Sequence, residues 1–124
     1  MKSLFSLLFT ALLISCSAQE KADSDIVMAD VSNEEAKELM AQQSDLQIID
    51  VRQNAEVALG MIDGAVQMDI SKPAFDAQIA TLDKEKPVLV YCAAGGRSKT
   101  AQEIMEEAGF KKVYNLKRGY ERWK

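Results

Sequence analysis

The sequence predicts an α/β domain with a mainly parallel central sheet of about five strands, flanked by helices on both faces. Three observations predict it. Short runs rich in β-branched residues alternate with segments of helical period along the chain. The runs Leu46–Val51 and Val88–Tyr91 are almost continuously apolar, the pattern of strands covered on both faces. The helical segments carry their own start and stop residues, such as Ser32 ahead of one and Gly109 behind another.

The first residues read as a leader rather than as part of that domain. Lys2 precedes an apolar run, Leu4–Ile14, broken only by Ser6 and Thr10, which is the charged-then-apolar order of an export signal. The run falls short of the roughly 20 apolar residues that a spanning helix needs. It ends in Leu13-Ile14-Ser15-Cys16, which resembles the bacterial lipobox, with Cys16 as the site of lipid attachment. An ordinary cleavage after Ala18 is the alternative, and it would leave a soluble periplasmic protein. The expected organisation is a signal over 1–15, a polar tether over 16–25 and one domain over 26–124, exported to the cell envelope and held at a membrane by lipid alone. About 109 residues then follow the signal, enough for a core without staples.

Within the domain, Val31-Ser32-Asn33-Glu34-Glu35 holds a capping box, and Ala36, Leu39 and Met40 continue at helical spacing. Leu46–Val51, Val66–Ile70, Val88–Tyr91 and Val113–Leu116 read as strands. Pro73–Leu82 and Ser98–Ala108 read as helices, the second closed by Gly109.

Composition narrows the chemistry. The net charge is −4, and it argues against nucleic acid or an anionic membrane surface as partner. With no histidine, a Ser-His-Asp or Cys-His nucleophile is excluded, and so is an ordinary zinc site; no metal or cofactor is expected. There are two cysteines. If the lipobox uses Cys16, Cys92 is left without a disulfide partner.

Cys92 lies at the carboxyl end of a strand, where open α/β sheets place their sites. The segment Cys92-Ala93-Ala94-Gly95-Gly96-Arg97-Ser98 joins that strand to a helix. Small residues and paired glycines let its backbone N–H groups turn inward, as an anion-binding nest at a helix N-terminus. A thiolate seated there is stabilised, and Arg97 adds a fixed cation with a planar fork. The plain alternative is an inert buried thiol ending a core strand.

These segments together resemble the rhodanese homology domain over essentially all of Ile26–Trp123. Ile48-Ile49-Asp50-Val51-Arg52 with Glu56 is similar to the family's Ile-Asp-Val-Arg segment and its following acidic residue. Gly60-Met61-Ile62-Asp63-Gly64-Ala65 is similar to its Gly-His-Ile-x-Gly-Ala turn, Cys92–Arg97 to its six-residue active-site loop, and Arg118-Gly119-Tyr120-Glu121-Arg122-Trp123 to its closing Gly-Gly-x-x-x-Trp. The resemblance implies a sulfurtransferase. Cys92 would take a sulfane sulfur from thiosulfate or a related small anionic donor, hold it as a persulfide, and pass it to a thiol or cyanide-like acceptor.

In that scheme the N–H groups of Ala93, Ala94, Gly95 and Gly96 cradle the outer sulfur and Arg97 binds the departing anion. Ser98 either supports the persulfide or caps the helix, and capping is the preferred expectation. Met61 stands in place of the family's histidine and Arg118 in place of its first glycine. Ala93 and Ala94 leave the loop without a second cation, which weighs against a strong preference for thiosulfate. Asp50, Arg52 and Glu56 are expected to form a strand-end ion-pair network, and Tyr120 and Trp123 to cover the sheet. The chain is expected to act as a monomer. A non-catalytic sulfur carrier is one alternative function. A phosphatase or arsenate reductase is another, disfavoured because their loops place five residues between Cys and Arg where this one has four.

Overall fold

A computed structural model describes residues 25–124. The leader, Cys16 and most of the expected tether lie outside the described residues. Five strands form one parallel sheet: β1 (Val27–Val31), β2 (Gln47–Asp50), β3 (Val66–Gln67), β4 (Val88–Tyr91) and β5 (Lys112–Leu116), in the spatial order β1-β5-β4-β2-β3. The helices are α1 (Asn33–Gln42), α2 (Asn54–Val57), α3 (Phe75–Ile79) and α4 (Gly96–Glu107), followed by a 3-10 turn over Tyr120–Arg122.

The central strand β4 is buried along its whole length, as its unbroken Val-Leu-Val-Tyr run requires. Its side chains alternate between two cores. Val88 and Val90 face one side, with Ile49 of β2, Met105 of α4 and Phe110 from the connection after α4. Leu89 and Tyr91 face the other, with Ala36 and Leu39 of α1 and with Tyr120 and Trp123 at the C-terminus. Continuing that alternation, Cys92 falls on the α3–α4 side. Tyr120 and Trp123 cover the sheet as expected.

α1 begins where its capping box places it, Ser32 accepting the Glu35 N–H at 3.1 Å. Gly109 follows α4 with a φ of +93°, the left-handed C-terminal position that favours glycine. Other boundaries differ from expectation. The fifth strand is β1, whose Val-Met-Ala-Asp-Val mixes polar and apolar residues because it lies at the sheet edge. β3 covers only two residues, after which the chain stays beside β2 through Met68 N–H to Asp50 and Ile70 N–H to Val51. α3 is shorter than the expected Pro73–Leu82. The N–H groups of Phe75, Thr81 and Leu82 bond three residues back, so both ends are turns rather than α-helix.

Candidate active site

β4 delivers Cys92 to the carboxyl edge of the sheet, and the chain then turns into α4. Gly95 makes that turn with a φ of +101°, and a Cβ there would lie 2.2 Å from the carbonyl oxygen of Lys117. Only glycine fits both the conformation and the space. The turn brings the Gly95 N–H to 3.1 Å from Cys92 Sγ, and the Ser98 hydroxyl to 3.3 Å. Burial pushes the thiol pKa up, but hydrogen bonds from the Ser98 side chain and from the N–H groups of Ser98, Ala94 and Gly95 outweigh it, leaving the thiol below its ordinary value. The sequence reading expected N–H groups from Ala93 to Gly96 around the sulfur, and the backbone hydrogen bond that the structure gives to it comes from Gly95.

The expected capping role of Ser98 is corrected. α4 starts two residues earlier, at Gly96, with Gly95 at the N-cap and no side-chain cap. Ser98 therefore sits inside the first turn, fully buried, with its hydroxyl turned to sulfur. The signal available in the sequence was the glycine pair, which lets the helix begin as soon as the loop closes.

The expected ion-pair network is also corrected. Asp50 and Arg52 do pair, at 2.7 Å between Oδ2 and Nη2, and both are buried. Arg52 also donates to the Gly60 carbonyl at 2.7 Å and lies 4.3 Å from the Tyr120 ring centroid, so the pair ties β2, the Gly60 turn and the C-terminus together. Glu56 belongs elsewhere. From α2 it receives both terminal nitrogens of Arg97, at 2.9 and 2.7 Å. Hydrogen bonding from Arg97 holds the Glu56 carboxyl down at about 2, and Glu56 in turn raises Arg97. The fork expected to receive an oxyanion is thus occupied by a carboxylate of the same chain. A bidentate partner for Arg97 had a sequence signal, an acidic residue on the short segment after β2, but no spacing rule joins residues 41 positions apart.

The C-terminal segment supports the loop from below. Tyr120 N–H donates to the Cys92 carbonyl at 2.8 Å and Glu121 N–H to the Ala93 carbonyl at 3.0 Å. Gly119 makes this approach possible, since a Cβ there would sit 2.3 Å from the Ala93 oxygen. Asp69, which the sequence reading passed over, lies just past β3 at the same edge and is buried. Among the described residues no group of three or more histidines, cysteines or carboxylates is arranged to hold a metal.

An open parallel sheet that presents a cysteine in a loop of backbone donors, between a strand and a helix, defines a class of thiol enzymes without a histidine base. The chain belongs to the rhodanese-like domain family, whose model matches residues 32–124. It is 39% identical over 94 residues to the thiosulfate sulfurtransferase GlpE of Coxiella burnetii, covering 76% of this chain and 85% of that one. Among solved structures it is similar to a rhodanese-like domain protein from Staphylococcus aureus, with a TM-score of 0.70 and 26% identity over 78% of this chain and 92% of the other. It is also similar to the human single-domain sulfurtransferase, with a TM-score of 0.65 and 26% identity over 78% and 96% of the two chains. The protein is a rhodanese-type sulfurtransferase.

Proposed function

We propose that this sulfurtransferase moves a sulfane sulfur from thiosulfate or a related donor, through a persulfide on Cys92, to a thiophilic acceptor. The observation that carries the reading is the Sγ of Cys92 held at 3.1 Å by the Gly95 N–H and at 3.3 Å by the Ser98 hydroxyl. Those donors favour the thiolate, which is the nucleophilic form. With thiosulfate, the thiolate attacks the outer sulfur, a Cys–S–S bond forms, the S–SO₃ bond breaks, and sulfite leaves with the bonding electrons. In the second half the acceptor attacks the outer sulfur and Cys92 departs as thiolate. No step requires a protein base for the nucleophile, consistent with a chain that has no histidine.

The N–H groups of the loop suit this role twice, once for the thiolate and once for the terminal sulfur of the persulfide. Ser98 adds a hydroxyl donor, and Arg97 supplies positive charge at the loop's end while Glu56 fixes its orientation. The four residues between Cys92 and Arg97 make a smaller ring than phosphatase loops use, which favours a sulfur atom over a tetrahedral oxyanion. We place the protein in the cell envelope, anchored through a lipid on Cys16, with 26–124 as its one folded domain; the apolar run before Cys16 supports that placement.

Intact-protein mass spectrometry after exposure to thiosulfate or a polysulfide tests the chemistry. A gain of one sulfur, reversed by cyanide or a thiol and absent in Cys92→Ser, is the expected result. Persistence of the gain in Cys92→Ser would remove Cys92 from the mechanism. Steady-state cyanide or thiol turnover then separates an enzyme from a carrier that is seldom discharged.

A further inference from the structure

Asn115 is a buried amide on a strand face that otherwise packs apolar side chains. It lies on β5 beside Val90 of β4, with 3% of its surface exposed. Two residues earlier on the same face, Val113 packs into the core that also holds Cys92, Ala101 and Met105. The Asn115 Oδ1 is buried and has no hydrogen-bond partner among the described residues. A leucine of similar size would avoid that unsatisfied oxygen, so packing alone does not account for an amide here.

What the amide has and leucine lacks is a pair of N–H donors on Nδ2. One goes to Asp30 Oδ1, on β1, at 3.1 Å, and the other to the Gly95 carbonyl oxygen at 3.5 Å. Both partners accept and cannot donate, so neither an aspartate nor an inverted amide could bridge them. Asp30 also accepts from Lys99 Nζ of α4 at 3.5 Å. The hydrogen bond from Asn115 lowers the Asp30 pKa, which keeps the carboxylate charged at neutral pH.

Gly95 is the residue of the loop that most needs a hold from outside. It combines a φ of +101° with an N-cap position that has no side-chain cap, and glycine is the least restrained of all residues. Its N–H is the donor at 3.1 Å from Cys92 Sγ. The Lys99 N–H meets the Gly95 carbonyl at 3.2 Å as the first bond of α4, and Asn115 is the second donor to that oxygen. Fixing this carbonyl from two sides fixes one end of the glycine about which the N–H would otherwise swing.

We propose that Asn115 is a positioning residue for sulfur transfer: braced by Asp30, its amide holds the Gly95 carbonyl and so keeps the Gly95 N–H on the Cys92 sulfur. Asn115 acts through Gly95 rather than on the sulfur itself. The proposal rests on the reading of Cys92 as the sulfur carrier.

Two variants of the full chain test it. Asn115→Leu removes the amide together with its unsatisfied oxygen, and Asp30→Ala removes only the brace, at a side chain that is 42% exposed. Neither alters Arg97 or Glu56, the ion pair at the end of the loop. The measurements are the pH dependence of iodoacetamide alkylation, read on the Cys92 peptide, the rate of persulfide formation from thiosulfate, and urea unfolding. Asn115→Leu is expected to raise the alkylation midpoint by roughly half to one pH unit and to slow persulfide formation at neutral pH roughly three- to tenfold, as for one lost hydrogen bond to the thiolate. Its resistance to urea should be kept. Asp30→Ala should shift the midpoint the same way by less, and should add nothing in the double variant, because both act through one contact. Midpoints unchanged in both single variants, or rates that fall only in step with stability, would overturn the role of Asn115. Should Asn115→Leu fail to fold, Asp30→Ala decides by the same readouts. Wild type that gains no sulfur would instead remove the carrier reading, and the alkylation midpoints would still decide whether Asn115 aims the Gly95 N–H.

Discussion

At the scale of single residues, the site depends on hydrogen bonds aimed at a buried sulfur. Ser98 is the clearest case, since its hydroxyl is the largest of the contributions that oppose the burial of Cys92. Ser98→Ala should therefore move the midpoint of pH-dependent Cys92 alkylation upward and slow persulfide formation at neutral pH. An unchanged midpoint would leave the N–H groups as the thiolate's only support. Glu56 has a pH signature of its own. Its folded pKa of about 2 lies below the ordinary 4.5, so its pairing stabilises the fold fully above about pH 4.5, and that contribution disappears as pH falls toward 2. Glu56→Gln should flatten the loss of thermal stability across that window. Equal slopes in variant and wild type would show that the pair adds nothing to the folded state.

At the scale of elements, the loop between β4 and α4 shows how two adjacent glycines do different work. Gly95 has a φ of +101° and a Cβ would meet the Lys117 carbonyl at 2.2 Å, whereas a Cβ on Gly96 would meet nothing within 4 Å. Gly95→Ala should cost at least about 1–3 kcal/mol from backbone strain alone, with sulfur transfer falling as the N–H groups lose their aim. Gly96→Ala should be neutral or stabilising by up to about 1 kcal/mol, because alanine is the better helix former in the first turn of α4. Urea denaturation of the two variants checks the contrast. Similar losses at both positions would mean that the loop tolerates neither side chain, contrary to the space around Gly96.

At the scale of the whole molecule, the sheet is joined to its C-terminus by a buried charge pair. Asp50 and Arg52 lie beneath Tyr91 and Tyr120, and the Tyr91 hydroxyl also accepts the Ile62 N–H at 3.0 Å. Burial raises the Tyr91 pKa, and the Asp50 carboxylate raises it further. Arg52→Leu would leave Asp50 charged and unpaired, at an expected cost of about 3–5 kcal/mol. A loss below about 1 kcal/mol in equilibrium unfolding would show that Asp50 finds another partner or becomes neutral. Localisation belongs to this scale too. Cys16→Ala should shift the protein out of the membrane fraction while the sulfur transfer of a purified domain stays unchanged. Wild type recovered wholly in the soluble fraction after export would sink the lipid anchor.

The sequence by itself determined the features that are local. The capping box at Ser32, the apolar run of β4, the glycine after α4 and the small-residue loop after Cys92 each follow from neighbouring residues whose propensities agree with the final fold. So did the family resemblance, which rests on the order of such segments. Tertiary structure alone decided what depends on residues far apart in the chain. It gave Glu56 to Arg97 rather than to the Asp50–Arg52 pair. It also brought Gly119 against Ala93, and left Asp69 buried at the same edge with one oxygen unsatisfied. Parallel strands place the ends of β2, β3, β4 and β5 side by side although many residues separate them in the sequence. Pairing among side chains at that edge is set by the sheet order and strand register, and neither periodicity nor spacing along one segment carries that information.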